Sequence, residues 1–292
     1  MRNTFCLLVL LATSFATGQA AARKIEYAMP PTPAIADGLT FKVAAPVPVD
    51  ATPADAKPKR GMLVATNTLY LDDARRISYR QDFGGGGLAT GLLLGPLGAA
   101  ANAKAIQNAN ERESAALRGK FPFTPNDLLG RALAARPAVA GATVEAELTP
   151  SLFVTRDANE RLIFWAMIDV SIGEWRGRYS ALAQGRVPLA DATQGLSGDP
   201  LRNLEWGLQA AYANALDAMS ADIAGQLTGF SKQHAKIEAL SPRFAGMVKY
   251  EHVLRTEERV IVRALAPGKY LAQGMGFIGV LVVPAADVKF GL

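Results

Sequence analysis

Apolar and polar residues alternate along this chain with two different periods. From Ala142 to Thr155, Arg161 to Ile172 and Arg176 to Val187 the period is two, or the run is continuously apolar, as in strands. Within the first run Val144, Ala146 and Leu148 alternate with Glu145 and Glu147, which puts both glutamates on the solvent side. The connections, Arg156 to Glu160 and Gly173-Glu174, suit hairpins, so the three runs predict an antiparallel meander. The period then becomes helical. Leu201, Leu204, Leu208, Ala211, Ala215, Met219, Ile223 and Leu227 form one apolar stripe, opened by Asp199 as cap and Pro200 in the first turn. That helix should cover the meander, with Trp165 and Trp206 in the shared core.

Weaker patterns flank this unit. Gly61 to Leu71 and Arg76 to Phe83 predict strands, Ala101 to Arg118 a helix, and Thr124 or Asn126 caps a short helix through Ala135. After Pro242, Phe244 to Leu254, Val260 to Leu265, Tyr270-Leu271 and Phe277 to Val283 are β-like; they predict either a small barrel-like module or further strands of the same sheet. Residues 23–60 are dense in proline and alanine, which predicts an extended tether or a peripheral edge segment. The expected class is α+β: an antiparallel meander packed by a long amphipathic helix, with a glycine-rich helical segment before it and a β-rich part after it. The expected division is 23–60 extended, 61–120 strands with the glycine-rich segment and helix, 121–240 the α+β core, and 241–292 the C-terminal module.

The first 22 residues read as an export signal, with Arg2, an apolar run from Phe5 to Ala12, and small residues ending at Ala22. Cleavage is expected after Ala22, or after Ala20. Cys6, the only cysteine, lies inside the apolar run, the wrong place for a lipid anchor. The mature chain would then have no cysteine, which excludes disulfides and thiolate metal sites. The net charge of +5 arises from basic residues interleaved with acidic ones, as at Glu111 to Lys120 and Arg255 to Arg259. Solvated faces are expected from that mixture, and no nucleic-acid partner.

Catalytic patterns are scarce. Gly274, Gly276 and Gly279 match the dinucleotide fingerprint by letter, yet the residues after Gly279 read as a strand ending at Pro284, with no helix or acidic partner. A β-turn is expected there. Two histidines, His234 and His252, lack partners at metal-ligand spacing, and no Gly-x-Ser-x-Gly elbow occurs. Asp169 and Glu174 end one strand, but an acid–base pair needs a cleft that nothing in the sequence signals. No catalytic residue, metal or cofactor is expected. One candidate ligand patch remains, Trp175, Arg176, Arg178 and Tyr179, because aromatic and cationic groups at a strand entrance stack on sugars or hold an interface.

Phe83 to Ala103 is uncharged and glycine-rich, with Gly87, Gly91, Gly95, Ala99 and Ala103 every four residues. On a helix that spacing leaves a strip without side chains, which lets another backbone approach. Seven glycines between 84 and 98 cost about 1 kcal/mol each in a helix, and Pro96 adds a kink, so close packing is required. The partner could be lipid, another chain, or the protein's own sheet. The run Gly84 to Ala101 resembles the glycine-zipper segments of proteobacterial cell-envelope proteins, many of them lipoproteins of unassigned function. The resemblance implies an envelope location with membrane association or self-assembly. The expectation is therefore a non-enzymatic envelope protein of a Gram-negative bacterium, periplasmic or peripherally membrane-associated, partnered by itself, another envelope protein or a membrane. The alternatives are a periplasmic module binding glycan or lipid, and an exported hydrolase.

Overall fold

A computed structural model describes residue 35 and residues 38–45, 69–81, 95–136, 144–231, 235–237, 252–264 and 279–290. The expected export signal, residues 61–68 of the first expected strand, and the runs 244–251 and 270–271 lie outside them. The class is α+β, with helices beside a mixed sheet.

Three long strands form the centre: β4 (Val144–Arg156), β5 (Arg161–Ile172) and β6 (Trp175–Leu182), each antiparallel to the next. Two residues, Gly173 and Glu174, join β5 to β6, and Gly173 takes φ 55°, a value that hairpin turns of this length require and glycine adopts freely. The free edge of β4 is shared. β1 (Leu39–Val43) pairs parallel with Val144 to Leu148, and β3 (Ile77–Tyr79), itself paired with β2 (Leu69–Tyr70), runs parallel to Leu152 to Val154. Part of the proline-rich segment is thus an edge strand. Pro150 falls in the gap between β1 and β3, where no neighbour asks for the N–H that proline lacks. Arg76 fills the gap, donating to the Pro150 carbonyl at 3.0 Å and to the Ala45 carbonyl at 3.0 Å.

The other edge of β5 is shared too, between β6 and the short β7 (Val187–Pro188). β6 continues into β11 (Gly279–Pro284), which is parallel to it, and then into β10 (Arg259–Ala264) and β9 (His252–Arg255), both antiparallel. The C-terminal strands therefore extend the central sheet. A separate two-stranded ribbon joins β8 (Ala235–Ile237) to β12 (Val288–Phe290).

Both faces of the sheet are covered, which is why β4 and β5 carry continuous apolar runs where a half-exposed strand would alternate. Leu148, Leu152, Val154, Phe164, Ala166, Ile168, Tyr179 and Val280 face the helices. Phe153, Ile163, Trp165, Val260, Val262, Leu281 and Val283 face the other way, where the ribbon adds Ile237 and Val288. On the helical side lie α1 (Gly95–Leu117), α2 (Pro125–Ala134), α3 (Leu189–Gln194) and α4 (Gly198–Ile223). Thr124 caps α2, its hydroxyl accepting from the Asp127 N–H.

Several boundaries differ from expectation. α4 starts at Gly198 with Ser197 in the cap position, not Asp199, and it ends at Ile223, short of Leu227. Trp206 is not in the core: it is 79% exposed. Two residues beyond Leu204, it sits roughly 200° around the helix, on the outer face. α1 begins six residues earlier than the expected Ala101, and Pro96 introduces no kink because it occupies the first turn, where its missing N–H has no partner to lose.

Candidate functional site

The glycine-rich run enters the described fold at Gly95. Gly87 and Gly91 lie outside the described residues, while Gly95, Ala99 and Ala103 are residues of α1. At about 100° per residue, positions 95, 99 and 103 share a side of the helix with Asn110, Glu113 and Leu117. The four-residue spacing therefore runs directly into the stripe by which α1 docks on the sheet. Its second half is docked. Ala109, Asn110, Glu113, Ser114 and Leu117 are buried, whereas Ala101, Lys104 and Asn108 are exposed and Ala105, Ile106 and Gln107 half-buried.

The docking is mainly polar. The Tyr79 hydroxyl, at the end of β3, donates to Glu113, and Arg156 Nε from β4 lies 3.4 Å from the same carboxylate. Tyr79 is wholly buried, and its pKa is pushed far up, first by burial and then by the charge of Glu113. Just past Tyr79 and Arg80, the amide of Asn110 takes the place of a strand partner. Its Oδ1 accepts from the Gln81 N–H at 2.8 Å, and its Nδ2 donates to the Gln81 carbonyl at 2.9 Å. The buried apolar side chains in the second half of α1 are Ala109 and Leu117, worth about 2–3 kcal/mol together. The neutral hydrogen bonds add about 1 kcal/mol each. By contrast α4 buries nine apolar side chains, from Leu204 to Ile223.

The candidate ligand patch is not one surface. On a strand alternate side chains face opposite ways, so Trp175 and Tyr179 point to the helical side and Arg176 and Arg178 to the other. Tyr179 is wholly buried and donates to Asp222 Oδ2 at 2.8 Å. Trp175 lies across Gly177, where a Cβ would come within 2.2 Å of the indole, and packs against the helical core. Arg178 makes a two-pronged pair with Asp169, its cross-strand neighbour, with Nη2 at 2.7 Å, and Arg176 donates to the carbonyls of Gly173 and Trp175. Its aromatic and cationic groups are thus committed to holding the β5–β6 end of the sheet.

A second buried polar group, which the sequence did not flag, closes the C-terminal end of α4. Asp222 accepts from Tyr179 of β6 and from Arg263 of β10, and the Arg263 guanidinium stands 5.1 Å from the Phe230 ring. A carboxylate in a last turn faces the negative end of the helix dipole, so it needs such a cation. Tyr179, Val280 and Arg263 are register partners across β6, β11 and β10, and Asp222 thereby staples the helix to β6 and β10, the strands on either side of β11.

The remaining candidates are scattered. Glu145 and Glu147 are exposed, Glu145 lying 4.0 Å from Lys42, and Glu174 is in the β5–β6 turn. His234, Gly274 and Gly276 lie outside the described residues, and His252 opens β9. Gly279 begins β11 at φ 111°, where a Cβ would come within 2.1 Å of the Arg178 carbonyl oxygen; this glycine lets two strands meet. Among the described residues no three of His, Cys, Asp and Glu converge on a metal-sized site, and no helix is long and apolar enough to cross a membrane. No known protein family, no curated protein and no solved structure matches this chain.

Proposed function

We propose that this is a non-enzymatic protein of the bacterial cell envelope that assembles or docks through the glycine-rich segment and the first half of α1. The observation that carries the reading is the continuity of one side of α1. The side that holds positions 95, 99 and 103 continues into the stripe that binds the sheet, and Ile106, on that same side, is only half-buried. A strip of small residues lets a second backbone come within packing distance, and Ile106 adds an apolar anchor beside it. The export signal read from residues 1–22 supports a periplasmic or peripherally membrane-associated location. The commitments of Trp175, Arg176, Arg178 and Tyr179 to the fold weigh against the glycan- or lipid-binding alternative.

Deleting Gly84 to Ala101 leaves the docked half of α1 intact and tests the proposal. Cell fractionation and size analysis of the two forms should show the deleted protein leaving the envelope-associated fraction or losing mass as a complex. If it keeps the same fraction and the same size, the segment does not mediate assembly or docking.

A further inference from the structure

We infer that α1 is a latched arm: it opens and closes as a unit while the sheet and α4 stay folded. The latch is the polar cluster at its second half, where Glu113 accepts from Tyr79 and Asn110 takes both backbone groups of Gln81. Groups of this kind exchange a protein partner for water when the helix lifts, so opening costs less than it would from an apolar seam of equal area. In this second half the buried apolar part of the seam, Ala109 and Leu117, is small beside the nine apolar residues that hold α4.

A hinge stands at its C-terminal end. The chain leaves α1 at Gly119, which takes φ 70°. Just beyond, α1 is tethered to the β2 end by the Gly119 N–H on the Leu71 carbonyl at 3.3 Å and by Arg118 Nη2 on the Tyr70 carbonyl at 3.3 Å. These bonds let the arm pivot without leaving the body. The opening itself does not depend on the assembly reading, but its use does: lifting α1 would free the whole side of the helix, from position 95 to Leu117, for the partner proposed above.

Native-state hydrogen exchange of the mature protein in low urea tests the arm. Peptides covering 101–117 should exchange at least tenfold faster than peptides covering 204–219, with little dependence on urea. Asn110→Ala and Tyr79→Phe should each speed exchange in 101–117 roughly tenfold and leave 204–219 unchanged. Two variants are used because either could perturb the β3 end by itself. Equal rates with equal urea dependence in the two regions, or variants that accelerate both together, would mean that α1 belongs to the one cooperative unit and overturn the inference. An arm that opens as described in a protein that neither assembles nor docks would leave this inference standing and remove the proposed function.

Discussion

Tyr212 offers a quantitative test of how the helical layer is held. It is wholly buried on α4, and its hydroxyl donates to the Ser151 carbonyl of β4 at 2.7 Å, close to the Arg76 plug. Burial raises its pKa well above the ordinary tyrosine value, and the nearby Arg76 charge offsets only part of this. Tyr212→Phe keeps the ring and removes one hydrogen bond, leaving a buried carbonyl with one partner fewer. The expected cost at pH 7 is about 1–2 kcal/mol. The sign of the pH dependence follows from linkage. Below about pH 10 the hydroxyl is protonated in both folded and unfolded chains, so the gap between wild type and variant is constant. Above it the unfolded chain releases a proton that the folded one retains, and wild type loses about 1.4 kcal/mol per pH unit that the variant does not. Tyr79 contributes in the same direction to both proteins and cancels in the comparison. Urea denaturation at pH 7, 9, 10 and 11 should therefore show a steady gap that narrows by about 1.4 kcal/mol by pH 11. A gap that stays constant to pH 11 would mean that Tyr212 ionises as easily folded as unfolded, and the buried placement would be refuted.

Gly279→Ala combines a left-handed backbone with a clash against the Arg178 carbonyl and should cost at least about 3 kcal/mol, read as a lowered urea midpoint; a change under about 0.5 kcal/mol contradicts the β6–β11 pairing. Asp222→Ala strips Arg263 and the Tyr179 hydroxyl of their common acceptor and should destabilise by about 3–5 kcal/mol, whereas Asp222→Ala combined with Arg263→Met should recover part of that loss in the same assay. Trp206→Ser should change stability by no more than about 0.5 kcal/mol while removing most acrylamide-quenchable fluorescence, because Trp206 is exposed, whereas Trp165 is buried and Trp175 half-buried.

The hydrophobic pattern carried the centre of the fold well. Strands at 144–156 and 161–172 and the helix at 198–223 follow the apolar periods closely, because burial against a large partner surface enforces those periods. Long-range pairing was less legible. β1 lies in a proline-rich run that reads as an extended tether or a peripheral edge segment; the edge reading holds, but its partner was not legible, since its register with Val144 to Leu148 depends on a chain segment roughly a hundred residues away. Trp206 was misplaced because aromatic identity was weighed above its position, two residues off the stripe. The patch at 175–179 failed for a related reason: adjacent letters on a strand face opposite ways, so Trp-Arg-Gly-Arg-Tyr never forms one surface. The latch of Glu113, Asn110 and Tyr79 left no local signal, as its members come from separate elements.

The central claim is that the side of α1 bearing positions 95, 99 and 103 meets a partner. Cys6 is the only cysteine of the sequence, so in a Cys6→Ser background single-cysteine variants report contacts cleanly. Ala99→Cys lies on the small-residue side and Ala101→Cys about 180° away on the same helix. Thiol crosslinking in the native envelope should give a discrete adduct, with a second copy or one envelope protein, from Ala99→Cys and little from Ala101→Cys. Equal adducts from both positions, or none from either, would contradict the account.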